Sequence, residues 1–160
     1  MVKHLTLFLF ILFIGCEMNS EQLIKSENIN FENIKFNAVS KDLKFTNFEE
    51  GPEVETTKKL VKDWFNNNVK IDGFDGNLSI NVTSIDISKI KKDEYYRFEI
   101  NISIEFLETN EVLNKRKIYK INSIEYGEIE GSFSIKDTEK LNKNIISNSL
   151  KSINQKVSGM

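Results

Sequence analysis

The residue types that carry most enzyme chemistry are nearly absent from this chain. It contains one Cys, Cys16, and one His, His4. Nucleophilic sites of the Ser-His-Asp or Cys-His kind need an imidazole. A His or Cys metal centre needs several such ligands, and a disulfide needs a second Cys. Paired carboxylates can hydrolyse glycosides when about 5–10 Å apart, but the Asp and Glu residues here are spread over polar positions. The Asp72-Gly73 and Asp75-Gly76 pairs lack the ligand spacing and closing Glu of a calcium loop. No P-loop, GxSxG or HExxH motif occurs. The expectation is a protein that is not an enzyme, with no catalytic residue, no metal site and no cofactor.

Two basic clusters remain as candidate chemistry. Lys115, Arg116, Lys117 and Lys120 form one, and Lys89, Lys91 and Lys92 the other. Ammonium and guanidinium groups suit anionic head groups, so the first cluster supplies the candidate contacts to a lipid or glycolipid. The competing reading is a solvated surface balanced by nearby Glu. Glu49, Glu50, Glu53 and Glu55 suit the positive end of a following helix. The whole chain carries 22 Lys and Arg against 24 Asp and Glu. That balance excludes the basic excess of a nucleic-acid binder.

The N-terminus has a short polar start, Lys3-His4, and then an almost unbroken apolar run from Leu5 to Ile14. A membrane-spanning helix needs roughly twenty apolar residues, so this run is too short to span. It fits the apolar region of a cleaved secretory signal, with the small Gly15 at the cut. Phe13-Ile14-Gly15-Cys16 resembles the lipobox of bacterial lipoproteins. Phe13 stands where Leu is commonest, and Ile14 where a small residue is commonest. The resemblance implies that residues 1–15 are removed and that Cys16 carries diacylglycerol and further acyl (palmitate) chains. One chain binds a bilayer only marginally, whereas two or three anchor stably. Removal of Lys3 shifts the net charge from −2 to −3 and takes the only His with it. Acylation then consumes the only thiol. Glu17 is not the Asp associated with inner-membrane retention, which implies a periplasm-facing anchor in the outer membrane in preference to the inner. Polar residues 16–30 read as a tether with a reach of about 20 Å.

Residues 31–160 have the length of one domain, and the chain's twelve Phe supply large apolar side chains. Alternation at Ile34, Phe36, Ala38 and then Leu43, Phe45 predicts a first strand over about 32–47, with a break at 39–42. Glu49 to Pro52 reads as a turn. From Glu55 or Thr56, the spacing of Leu60, Val61, Trp64 and Phe65 predicts a helix ended by Asn66-Asn67-Asn68. Trp64 belongs to that apolar stripe and is read as core. Leu78, Ile80, Val82 and then Ile85, Ile87 predict a strand with a bulge. Lys89–Asp93 reads as a charged turn. Tyr96 to Phe106 alternates without a fault, the mark of a strand with one dry and one wet face. A further strand is expected at about 112–124 and a capping box at Ser134–Asp137. Leu141 to Val157 then predicts a helix over about 137–157, stopped by Gly159.

The order β-α-β-β-β-α defines the expected class: an α+β two-layer sandwich, two helices on one face of a mainly antiparallel four-stranded sheet. This layout resembles the lipopolysaccharide-assembly lipoproteins. It also resembles small envelope lipoproteins of unknown function whose first helix carries a Trp-x-Lys-Asp-Arg-Leu-like segment. Leu60 to Phe65 is similar, with the Trp and the Arg both replaced. The resemblance implies a membrane-anchored accessory lipoprotein that binds an envelope protein partner, and lipid or glycolipid with it, in envelope biogenesis or lipid transport. The alternative expectation is a periplasmic module that holds a small hydrophobic ligand in an apolar pocket between helices and sheet.

Overall fold

The computed structural model describes residues 31–46 and 48–159. The expected signal segment 1–15, the expected acylation at Cys16 and the expected tether 16–30 lie outside the described residues. The elements are β1 (Ile34–Phe36), β2 (Ser40–Phe45), α1 (Pro52–Asn68), β3 (Val69–Ile71), β4 (Asn77–Lys92), β5 (Tyr95–Asn110), β6 (Lys115–Glu130) and α2 (Ile135–Ser158). β2-β4-β5-β6 form one sheet, antiparallel except for the parallel β2–β4 pair. Both helices cover one of its faces, so the expected α+β sandwich is the fold. None of the described helices is long and apolar enough to cross a membrane.

Several boundaries differ from expectation for identifiable reasons. The first strand is split: β1 pairs in parallel with the short β3, and β2 pairs with β4. Glu49–Pro52 is not simply a turn, because Pro52 starts α1 at the position where a missing N–H costs nothing. Lys89 to Lys92 extend β4, and the turn shrinks to Asp93-Glu94. The β5–β6 turn is Glu111–Asn114, with Asn114 at φ 47, so Leu113 is an exposed turn residue and not a strand residue. β6 continues through Gly127 to Glu130. The bulge in β4 falls where expected, between Val82 and Ser84.

Gly127 does not break β6; it lets α2 approach. A Cβ there would lie 2.8 Å from the terminal methyls of Leu141 and Ile145. α2 begins with the expected capping box. Ser134 accepts the Asp137 N–H, while the Asp137 carboxylate accepts the Ser134 N–H at 2.7 Å. These bonds, those to the Ser134 hydroxyl and backbone alike, hold the Asp137 carboxyl below its usual range. α1 lacks a basic residue in its last turn. The cation comes instead from β2. Lys41 Nζ donates to the carbonyls of Phe65 (2.9 Å) and Val69, at the negative end of the helix. Its pKa is lowered by burial, and by Lys70 nearby.

Large side chains pack between the layers. Trp64, Phe98 and Phe106 are fully buried, and Phe106 contacts both Phe36 and Trp64. The Trp64 indole donates to Asn154 Oδ1 at 2.8 Å, and Asn154 Nδ2 donates to the Glu32 carbonyl at 3.2 Å. This joins α1, α2 and the entry of the chain into the domain.

Candidate functional site: the open face and edge of the sheet

Strand alternation assigns every side chain of β4–β6 to the helix side or the open side. The four residues of the first basic cluster do not converge. Lys115 and Lys117 share parity with the inward Tyr119 and Ile121. Arg116 and Lys120 share parity with the exposed Ile118 and Ile124. Lys117 lies 3.9 Å from Glu108, and Lys120 3.4 Å from Glu105, each a directly opposite cross-strand partner. Lys115 and Arg116 make no salt bridge among the described residues. The second cluster is divided too. Lys89 bonds Glu53 at the start of α1 at 2.9 Å. Burial works against the Glu53 charge, but this ammonium holds its carboxyl below the usual range.

The densest constellation on the open face involves residues that local sequence patterns do not single out. Arg97 donates to Glu99 and to Glu128, both at 2.8 Å. The Tyr95 hydroxyl donates to the same Glu128 oxygen at 3.0 Å. The Arg97 guanidinium sits 4.4 Å from the centroid of the Tyr126 ring. Glu99 and then Glu128 hold Arg97 firmly protonated. Around this network Ile90, Ile124 (59% exposed) and Tyr126 (58% exposed) face solvent. A sequence signal existed only for the Arg97–Glu99 pair, two apart on one strand face.

A second exposed feature lies at the end of the sheet where β4 starts and β5 ends. Phe74 is fully exposed, and Val112 and Leu113 are largely so. Asp75 joins their loops by accepting the Val112 N–H at 3.0 Å. Lys115 and Arg116 follow directly. Two hollows dent the surface. One, about 460 Å³, lies between the Asp93 hairpin and the first turn of α2. The other, about 350 Å³, lies over Ser103, Glu105, Lys120 and Asn122. Both are lined mostly by polar residues, unlike the apolar pocket that the hydrophobic-ligand alternative needs.

No protein-family model matches this chain, and neither does any curated protein. Solved structures with a similar course of the chain include a minor lipoprotein from Acinetobacter baumannii. It is 9% identical, with 75% of this chain and 90% of that one covered, at a TM-score of 0.46. A protein from Xanthomonas campestris is 12% identical over 82% and 87%, at 0.45. The rare lipoprotein B from Shewanella oneidensis is 10% identical over 74% and 89%, at 0.38.

Proposed function

We propose that this chain is a lipid-anchored accessory protein of the cell envelope that works by binding a protein partner on the open face of its sheet, without catalysis. One observation carries the reading: the Arg97–Tyr126 stack set between exposed Ile90 and Ile124. Arg, Tyr and Ile side chains of this kind, rimmed by Glu, have the composition of interface centres. The large buried side chains between the layers support a used surface over a used cavity. A second reading, contact with lipid or glycolipid, is favoured by the loop end. There Phe74, Val112 and Leu113 offer apolar tips beside Lys115 and Arg116, an arrangement suited to an interface of acyl chains and anionic head groups.

The anchor is tested by Cys16→Ser in cells followed by membrane fractionation. The parent chain is expected in the membrane pool, resistant to salt extraction. The variant is expected to lose its acyl mass and leave the fully processed pool. A variant that fractionates like the parent would remove the anchor from the reading.

A further inference from the structure

We infer that β6 is a self-pairing edge: two copies of this chain join through antiparallel β6 strands, with the two-fold axis at Asn122. The inference builds on the exposed strand of the reading above and does not depend on a membrane.

The two edges of the sheet are unequal. β2 is six residues long, whereas β6 is sixteen, with unbroken register to β5 and no Pro. Long, regular edges are ones that proteins ordinarily shorten, bulge or cover. Backbone direction along β6 is fixed by two bonds. Gly131 N–H, one residue past the strand, donates inward to the Glu94 carbonyl. Asn122, of the opposite parity, has its carbonyl taken from outside by Lys156 Nζ at 2.6 Å. Even-numbered positions of β6 therefore direct their backbone groups outward, and their side chains lie on the open face.

Charge then selects the occupant. The first half of β6 is basic, with Lys115, Arg116, Lys117 and Lys120; the second half is acidic, with Glu125, Glu128 and Glu130. The strand is its own electrostatic complement when reversed. A parallel pairing would set the basic halves side by side, and directly opposed like charges destabilise. Open-face side chains must oppose open-face side chains, so antiparallel registers change in steps of two. With Asn122 opposite Asn122, Arg116 meets Glu128, Ile118 meets Tyr126 and Lys120 meets Ile124, each twice. A shift to an axis at Ser123 or Ile124 places Ile118 against Glu128 or Glu130. The Asn122 register sets Arg116 against Glu128 and Ile118 against Tyr126 and leaves Lys120 against Ile124; an axis at Ile121 pairs Ile118 with Ile124 but loses the Arg116–Glu128 pair. It continues the open face across eight strands and sets Ile118 of each copy beside Tyr126 of the other. Lys156 is the gate, since its ammonium occupies the Asn122 carbonyl and must swing aside as a partner strand enters.

The test uses the purified full-length chain carrying Asn122→Cys, exposed to a mild thiol oxidant. Opposed residues of a hydrogen-bonded antiparallel pair have Cα atoms about 5.5 Å apart, within disulfide reach. Efficient disulfide dimers are expected from N122C, and from a mixture of I118C with Y126C chains. None is expected from K151C, on α2, or from the parent chain. Lys156→Ala is expected to tighten dimerisation about tenfold by freeing the carbonyl. Dimers in the parent chain would report a free Cys16 thiol, and the mass of the acyl adduct reads that separately. N122C crosslinking no better than K151C overturns the inference. So do dimers that form through I124C in preference to N122C.

Discussion

Replacing Trp64 with Ala is expected to cost about 5 kcal/mol in denaturant unfolding, enough to leave the domain marginal. Trp64 is 1% exposed and packs edge-on against Phe106 in the middle of the core. Removing a buried aromatic from such a site costs about 3–5 kcal/mol in lost transfer energy and residual cavity. A second term adds to it. The indole N–H donates to Asn154, a side chain only 3% exposed. Its loss leaves Asn154 Oδ1 without its partner, a penalty of about 1–3 kcal/mol. Trp64→Phe weights the second term, because it keeps a buried six-membered ring while removing the donor with three ring atoms. It is expected to cost about 1–3 kcal/mol. A Phe variant as destabilised as the Ala variant would show that the hydrogen bond, and not the packing, dominates this site.

Gly76→Ala is the second large effect, expected to destabilise by more than about 3 kcal/mol. Gly76 has φ +86, and a Cβ there would lie 1.9 Å from the Thr109 carbonyl oxygen. The obstacle is backbone of β5, paired beside it at Asn77–Thr109, so neither side can yield without opening the ladder. Gly131→Ala is the control. Gly131 has nearly the same φ, +84, and open space around it. It is expected to cost only the left-handed conformation itself, about 1–2 kcal/mol. Equal effects at the two positions, measured by the same unfolding titration, would show that the close approach to Thr109 does not matter.

The fold was legible where local pattern and tertiary environment agree. Tyr96 to Phe106 alternate without interruption and every second residue is buried, so β5 could be read from sequence. The end of β6 could not. Gly127 looks like a strand breaker in isolation, and its reason is the approach of Leu141 and Ile145 from a helix that begins eight residues later. Pro52 reads as a turn residue until the helix after it is seen. The basic run Lys115–Lys120 reads as one patch, but a strand sends neighbours to opposite faces, and register brings Glu105 and Glu108 beside two of its members. The Arg97–Tyr126 stack was invisible for a related cause. Its residues are far apart in the chain and meet only through the β5–β6 register, two positions off direct opposition.

A photo-crosslinking amino acid placed at Ile90 in the full-length chain, activated in intact cells, tests the proposed use of the open face most directly. Ile90 lies on β4, two strands in from the β6 edge, so a second copy paired along that edge is out of reach. The same probe at Lys151, on the exposed side of α2, is the control. A discrete adduct with one envelope protein from position 90, absent from position 151, is the predicted result. No adduct at position 90, or the same diffuse products from both positions, would contradict a partner on the open face.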